Sequence, residues 1–139
     1  MGLNEQERTK FLAEPPSAGL AVDAGPGRGP LSVPVWYDYE PGGEVLFLTG
    51  VESRKAALIA KAGRLTVLVQ RTSPTYRYVS IEGPVVGSGP TTLEHLTRIA
   101  ARYLPPEAVP GYVEGSDLHT LVTFRVLPQR WLSADLGAL

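Results

Sequence analysis

Short stretches of alternating apolar and polar residues, punctuated by glycine and proline, favour a mainly β fold. In LSVPVWYDY (31–39), Leu31, Val33, Val35 and Tyr37 share one face, which is the period of a strand with one buried side. EPGG (40–43) has the composition of a hairpin turn, and EVLFLT (44–49) follows it as the returning strand. These two stretches are therefore expected to pair antiparallel.

Four further strands and three helices are predicted along the rest of the chain. The strands are GLAVDA (19–24), RLTVLVQR (64–71), YRYVSIEGPVV (76–86), whose Gly–Pro step indicates a bulge or bend, and LHTLVTFRVLP (118–128). The first helix opens on a capping box, Asn4 with Glu7, and ends at Pro15–Pro16. The second runs from Ser53 to about Ala62, with Gly63 as its C-terminal cap.

The third helix opens on a second capping box, Thr91 with Glu94, and carries an apolar stripe. That stripe comprises Leu93, Leu96, Ile99, Ala100, Tyr103 and Leu104. The helices are inserted singly and several strands are joined by tight turns, so a regular parallel βα alternation is disfavoured. We therefore predict a mainly β (β + α) fold: a six-stranded, mostly antiparallel barrel with peripheral helices, forming one domain over residues 1–139.

Composition excludes several classes of function. The chain has 139 residues, a formal net charge of −1 and no cysteine, so no broad basic field recruits nucleic acid or an anionic membrane, and disulfides and thiolate sites are absent. The two histidines cannot build a metal cluster without cysteines. The N-terminus is polar and no apolar run approaches the length of a membrane span. We therefore expect a cytoplasmic protein without a bound metal.

Two cations stand where a helix favours negative charge. With Ser53 as N-cap, Arg54 and Lys55 fall in the first turn, at the positive end of the helix dipole. Both side chains could simply be solvated. A helix N-terminus that follows a strand and a glycine, with a hydroxyl and two cations, is also a phosphate-sized anion site. Glycine-rich nucleotide-binding motifs are absent.

A flat apolar segment surrounds Pro34. Proline cannot donate to a strand ladder, so this strand lies at an edge or is broken there. Val33, Val35 and Trp36 flank Pro34. The segment is either an edge without a further role or a wall on which a planar ring rests.

Weaker candidates lie elsewhere in the chain. Gln70 and Arg71 end a strand and could face the same pocket, although strand ends are commonly solvated. His95 and His119 are expected to be structural or exposed, and Trp131 to serve core packing or a dimer contact. No acid–base or nucleophile constellation is recognisable, so catalytic residues are not assigned.

The ordered series PLSVPVWYDY, EVLFLT, SRK opening a helix, RLTVLVQ and YRYVSIEG resembles the pyridoxamine 5′-phosphate oxidase-like superfamily. More narrowly, it resembles the short flavin/deazaflavin oxidoreductases of actinobacteria. The resemblance spans roughly residues 15–135. It implies a split β-barrel that forms a homodimer, with a flavin or deazaflavin in a groove at the subunit interface.

The resemblance also implies roles for individual residues. Lys55 would hold the cofactor phosphate with Ser53 and Arg54, and Thr49 would lie near the ribityl chain. Val33, Pro34, Val35 and Trp36 would lie along the tricyclic ring, and Gln70 and Arg71 near the ring or phosphate.

The function implied is that of an oxidoreductase acting on a small-molecule substrate. FMN is the expected cofactor, with the deazaflavin coenzyme F420 as the alternative. Ser53 stands where some relatives carry an arginine, which leaves the choice between the two open. Two alternative hypotheses remain. One is a non-catalytic protein that binds or carries FMN, deazaflavin or haem, and the other is a barrel that has lost its ligand.

Overall fold

The computed structural model describes residues 2–14, 17–40 and 43–138. Eight strands are formed: β1 (Ser17–Val22), β2 (Leu31–Pro34), β3 (Tyr37–Tyr39), β4 (Val45–Gly50), β5 (Arg64–Arg71), β6 (Arg77–Pro90), β7 (Leu121–Val126) and β8 (Arg130–Asp135). Four α-helices accompany them: α1 (Glu5–Ala13), α2 (Arg54–Ala62), α3 (Leu93–Tyr103) and α4 (Val109–Glu114). Single 3₁₀ turns occupy Pro106–Ala108, Leu118–Thr120 and Leu136–Ala138.

The strands form one antiparallel sheet that curls into a split barrel. Its order is β2-β1-β5-β6-β7-β4-β3, with β8 added to β6. The strands β2 and β3 stand at opposite ends of this order, yet only Val35 and Trp36 separate them along the chain. The two ends of the sheet must therefore lie close together. The predicted mainly antiparallel β fold is confirmed, with eight strands in the described residues rather than six.

The stretch 31–39, predicted as one strand, is divided in two. Pro34 has no N–H to donate, and it lies on the edge strand opposite Gly19. The next N–H, of Val35, donates to the carbonyl oxygen of Ala18 at 3.0 Å. Beyond it the chain leaves β1, and Tyr37 pairs with Phe47 of β4 instead. The predicted edge position of Pro34 is confirmed; residues 41 and 42 of the predicted turn lie outside the described part of the chain.

The strand predicted over 118–128 is present but shorter, and it is not the last one. Asp117 accepts a hydrogen bond from the His119 N–H at 3.0 Å and caps a 3₁₀ turn, so β7 begins only at Leu121. After β7 the chain continues in the same direction along β6 and forms β8, which the sequence analysis missed. The boundaries of two other strands also differ, because β1 spans Ser17–Val22 rather than 19–24 and β6 continues to Pro90.

β6 pairs with two partners along one edge, and the irregularity predicted at its Gly83–Pro84 step lies slightly further on, as a register shift between Val85 and Gly87. Residues 77–82 pair with β8, whereas residues 85–90 pair with β7 across a register shift. The segment that joins β7 to β8 runs beside Gly83 and Pro84, with the Leu127 N–H bonded to Pro84 O and the Gln129 N–H to Glu82 O. A side chain on Gly83 would overlap the Leu127 carbonyl group. Only glycine therefore permits this close approach of the two backbones.

Two of the predicted helices have the predicted caps. Asn4 and Glu7 form the capping box of α1. Ser53 caps α2, and Gly63 ends it with a φ of 70°. Residues 15 and 16, predicted to stop α1, lie outside the described residues.

The start of α3 differs from the prediction by one residue. Thr92 rather than Thr91 is its N-cap, because the Thr91 side chain is buried against the Thr123 hydroxyl at 3.0 Å. Leu93 is 57 % exposed, so the buried stripe of this helix begins at Leu96.

One buried apolar cluster fills the inside of the sheet. Tyr37, Phe47, Val67 and Ile81 supply it from four strands, and α1, α2 and neighbouring strands contribute the rest. The sheet thereby buries one face of its strands and leaves the other open. Among the described residues, no helix is long and apolar enough to cross a membrane.

Replacing Gly83 with alanine should strongly destabilise the fold. The new methyl group would overlap the backbone of Leu127, and backbone cannot move aside as a flexible side chain can. We expect the free energy of unfolding in urea to fall by about 2 kcal/mol or more. Gly89→Ala on the same strand is the matched control, since nothing lies within 4 Å of a methyl group there. Equal stability of the two variants would contradict this account of the close approach at Gly83.

Candidate functional site

A cavity of about 260 Å³ lies where the two ends of the sheet meet. The link between β2 and β3 forms one wall, β4 and the start of α2 form another, and α3 and α4 cover it. The lining residues are Pro34, Val35, Trp36, Leu48, Lys55, Leu96, Ile99, Ala100 and Tyr112. Four of the residues singled out in the sequence, Pro34, Val35, Trp36 and Lys55, are thus brought together.

The cationic end of the cavity is the N-terminus of α2. Lys55 is half-buried and has no acidic partner within the described residues. Burial lowers the pKa of its ammonium group. Arg54 beside it is exposed and has no ion-pair partner in the same part of the chain. The first turn of α2 therefore presents positive charge that no described side chain neutralises.

The two hydroxyls near this helix end are used within the protein. Ser53 Oγ donates to the carbonyl oxygen of Gly50 at 2.7 Å and accepts from the Ala56 N–H at 3.1 Å. Thr49 is buried, and its hydroxyl lies 3.3 Å from that of Ser53. Since a serine has one hydroxyl proton, Ser53 has none left for a ligand in this arrangement. These groups shape the start of α2 and leave its cations free.

The apolar wall is an aromatic stack. Trp36 lies parallel to Tyr103 of α3, with ring centroids 5.0 Å apart and planes 5° from parallel. Tyr112 of α4 tilts against Trp36 at 5.6 Å. The Tyr103 hydroxyl accepts the Tyr37 N–H at 3.3 Å, and burial raises the pKa of this hydroxyl. Trp36 is thereby fixed in orientation although it is 37 % exposed.

Charged groups that the sequence analysis did not single out hold α3 against β3. The buried carboxylate of Asp38 accepts from Arg98 at 2.9 Å and lies 3.7 Å from Arg102. Arg102 also donates to the Leu12 carbonyl oxygen at 2.9 Å and lies over the Tyr37 ring. The i, i+4 spacing of the two arginines could have indicated a shared partner, since it places both on one helix face. The carboxylate that they share could not be predicted, because it comes from β3.

Val33, Gln70 and Arg71 do not line the cavity. Val33 packs against the core from β2, and Gln70 accepts a hydrogen bond from Tyr76 at 2.7 Å on the outer face of the sheet. Among the weaker candidates, Trp131 packs against the core beneath the Arg8 guanidinium, and His119 is exposed.

Arg71 belongs to a separate cluster at the end of β5. It donates to the backbone and hydroxyl of Thr75, at 3.2 and 3.1 Å, and lies 3.6 Å from the Asp135 carboxylate. Burial favours the neutral form of Asp135, but hydrogen bonds from Thr75, Arg77 and the Gly137 N–H outweigh it and lower the pKa of that carboxyl group. The Arg71 guanidinium is therefore engaged in holding the chain end in place.

The lining of the cavity is chemically simple. Its titratable side chains are Lys55 and Tyr112, and no carboxylate or imidazole lines it in the described residues. Residues 2–14, 17–40 and 43–138 likewise contain no group of three or more side chains placed to hold a metal ion. The arrangement can bind a flat molecule that carries negative charge at one end.

No protein-family model matches the sequence, and no curated protein matches it. Solved structures do match the fold. An F420 reductase is 21 % identical, with a TM-score of 0.74 over 88 % of this chain and 94 % of that one. A conserved hypothetical protein from Mycobacterium tuberculosis is 26 % identical, with a TM-score of 0.73 over 96 % of this chain and 85 % of that one. An FAD-binding protein from Mesorhizobium loti is 19 % identical, with a TM-score of 0.69 over 97 % and 96 %.

These likenesses show the fold: the chain has the split barrel that the resemblance implied. Two of the similar structures are named for F420 and FAD chemistry. A particular ligand for this chain therefore has to be inferred from the residues that line the cavity.

Removing Arg102 should destabilise the protein more than removing Arg98. Arg102→Met leaves the buried Asp38 carboxylate with one fewer cation and removes the hydrogen bond to the Leu12 carbonyl oxygen. We therefore expect the free energy of unfolding, measured in urea, to fall by about 3 kcal/mol. Arg98→Met should cost less, since the Arg98 side chain is 43 % exposed and water screens its pair with Asp38. The opposite order would show that the exposed arginine is the main anchor of α3.

Proposed function

We propose that this chain binds a flavin-type cofactor, FMN in the first place, in the cavity beside the link between β2 and β3 and acts as an oxidoreductase. The observation that carries the proposal is Lys55. It is a half-buried cation without an acidic partner in the described residues, at a helix N-terminus in the same cavity as the aromatic wall. A ring joined to a phosphate by a flexible chain needs both features.

The α2 end fits a phosphate. Lys55 would hold it by a charge-assisted bond, and Arg54 would add a second positive charge from the exposed side. The first-turn N–H groups of a helix are available to an anion because they have no partner within the helix. Ser53 and Thr49 support the site by fixing the start of α2, since their hydroxyls are engaged with each other and with Gly50.

The other wall fits a planar ring. Pro34 and Val35 offer a flat apolar surface, and Trp36 is braced by Tyr103. The cavity of about 260 Å³ is somewhat smaller than the ~300–1,000 Å³ usual for a bound ligand. A second copy of the chain would complete it, in agreement with a cofactor at a homodimer interface. Val33, Gln70 and Arg71 would then lie outside direct contact within the same subunit.

The cofactor would supply the redox chemistry, accepting or donating a hydride at its ring. The chain's part is to bind, orient and exclude water. Lys55 would place positive charge at the phosphate, and the Trp36–Tyr103 stack would fix the plane of the ring. The Tyr112 hydroxyl is the one lining oxygen among the described side chains that could hold a proton for a substrate.

A carrier that binds the cofactor without turnover is the second candidate. The absence of any carboxylate or imidazole from the described cavity lining favours it. Hydride transfer from a flavin does not require such a group, so the lining is compatible with both functions.

The decisive experiment titrates the purified protein with FMN and with F420 side by side, following tryptophan fluorescence. Saturable binding of either supports the proposal, and tighter binding of one identifies the cofactor. Reduced cofactor is then offered quinone and enone acceptors; turnover indicates an oxidoreductase and its absence a carrier. Failure to bind either cofactor would overturn the proposal.

Lys55→Ala should weaken FMN binding by at least about 1.5 kcal/mol, roughly tenfold in Kd, the scale of a charge-assisted hydrogen bond. Lys61→Ala is the matched control, because Lys61 is an exposed lysine in the last turn of the same helix. An unchanged Kd for Lys55→Ala at moderate salt would remove Lys55 from the site.

Measuring the FMN affinity of the same proteins over a range of pH tests whether the positive charge of Lys55 holds the phosphate. Because burial lowers the pKa of Lys55, the free protein loses this positive charge at a lower pH than an ordinary lysine would. FMN affinity should therefore fall as the pH rises through that pKa. Lys55→Arg should bind FMN without the alkaline loss, since arginine stays charged.

The fluorescence of Trp36 should show whether the cofactor ring binds beside it. A flavin that lies within about 7 Å of the indole should quench its fluorescence strongly, whereas Trp131 is packed under Arg8 on a different strand. The chain has two tryptophans, so Trp36→Phe and Trp131→Phe separate their signals. We expect most of the quenching to disappear in Trp36→Phe. Full quenching in that variant would move the ring away from this wall.

A further inference from the structure

The stretch 105–120, called here the α4 segment, joins α3 to β7 and contains α4. None of its residues is buried, whereas α3 beside it buries Leu96, Ile99 and Ala100. α4 packs chiefly against α3 and against the 3₁₀ turn that precedes it. The segment also contains three prolines and two glycines. Little apolar burial therefore holds it against the rest of the protein.

The polar contacts of the α4 segment are local. Inside it, the Gly115 N–H donates to Gly111 O at 3.0 Å, and the Asp117 carboxylate accepts the His119 N–H at 3.0 Å. None of its charged side chains forms an ion pair in the described part of the chain. No electrostatic contact therefore replaces the missing burial.

The α4 segment is tied down at its two ends. Before it, the Leu104 N–H donates to Ala100 O of α3 at 2.9 Å. At its far end, Thr120 O accepts the Val51 N–H at 2.8 Å. Among the hydrogen bonds of the described residues, none attaches residues 105–117 to an element outside the segment. The middle of the segment can therefore move while both ends stay in place.

Tyr112 is the side chain by which this segment reaches the cavity. Its ring lies against Trp36, with centroids 5.6 Å apart and planes 41° from parallel. In the described part of the chain, no other side chain of the segment lines the cavity. Tyr112 is nevertheless 41 % exposed. This part of the cover is thus one aromatic ring on a weakly held helix.

The wall beneath this cover is held more firmly. Trp36 stacks on Tyr103 of α3 independently of α4. α3 in turn is tied to β3 through Asp38, which pairs with Arg98 and Arg102. Moving α4 away would therefore open the cavity and leave this wall intact.

We propose that the α4 segment is a lid, which opens by local unfolding, admits the ligand to the cavity and closes over it through Tyr112. The closed cavity of about 260 Å³ is below the ~300–1,000 Å³ usual for a bound ligand, so a ligand of flavin size needs the cover to move. Lids are drawn from the least stable parts of a fold, and their closure excludes water from a site. The identity of the ligand rests on the proposed function, whereas the opening rests on the contacts of the segment itself.

Hydrogen exchange of the free protein tests the opening. The amides of Gly115 and Ser116 are bonded to carbonyl oxygens inside α4, at 3.0 and 3.2 Å. Corrected for intrinsic rates, they should exchange at least about tenfold faster than the amides of Ile99 and Ala100, which are buried on α3. Saturating FMN should slow exchange in α4 and leave α3 unchanged. Equal protection of the two helices in the free protein would overturn the lid.

Substitutions at two adjacent residues should shift the opening in opposite directions. Tyr112→Ala removes the contact with Trp36 and should speed exchange in α4 by about threefold or more. Gly111→Ala should slow it about fivefold, because alanine favours a helix over glycine. Nothing lies within 4 Å of the added methyl group. Tyr112→Phe keeps the ring and is the matched control, with exchange like that of the wild type.

Stopped-flow binding of FMN, followed by protein fluorescence, tests whether the opening controls entry. FMN should both associate and dissociate faster with Tyr112→Ala, and do both more slowly with Gly111→Ala, because each step requires an open lid. A Tyr112 that only contacted the bound ligand would alter dissociation alone. That outcome would overturn the lid.

The two proposals fail in distinguishable ways. If neither FMN nor F420 binds, the proposed function falls, and the lid stands on the exchange of the free protein. If FMN binds while α4 is as well protected as α3, the proposed function stands and the lid falls.

Discussion

The short link between β2 and β3 constrains the rest of the structure. Val35 and Trp36 connect two strands that stand at opposite ends of the sheet, so the sheet must curl until its ends meet. Those ends do not pair with each other. Pro34 offers no N–H, and the Val35 N–H is already bonded to Ala18. The opening left between them is the cavity, covered by α3 and α4 and lined by Trp36.

Charge is distributed unevenly around this opening. Arg98 and Arg102 are engaged with Asp38, and Arg71 and Arg77 with Asp135. These pairs hold α3 and the chain end in place. Lys55, half-buried in the cavity, has no such partner in the described residues. An unpaired cation that is partly desolvated is costly to keep, and an anionic ligand would offset that cost.

The sequence predicted those structural features that depend on residues close together in the chain. The alternation at 31–37 and the caps Ser53 and Gly63 depend on neighbours along the chain, and each is confirmed. The irregularity predicted in β6 exists, but it lies at Val85–Gly87 rather than at the Gly–Pro step. β8 was missed because a strand of mixed polarity such as RWLSAD is recruited by its partner β6 rather than by its own periodicity. The roles of Asp38 and Tyr112 could not be predicted either, because each contacts residues that are far away in the sequence. The role proposed for Lys55 needed only its place in the first turn of α2.

The size of the cavity has a physical explanation if a second copy of the chain completes it as proposed. Alone, the cavity is small for a tricyclic ring, and Pro34 on the edge strand β2 forms part of its wall. Proline prevents that edge strand from extending the sheet further. A partner that encloses the rest of the ring would couple the two equilibria, so cofactor binding and dimer stability should reinforce each other. Through that linkage, FMN would stabilise the dimer by the same factor by which dimerisation tightens FMN binding.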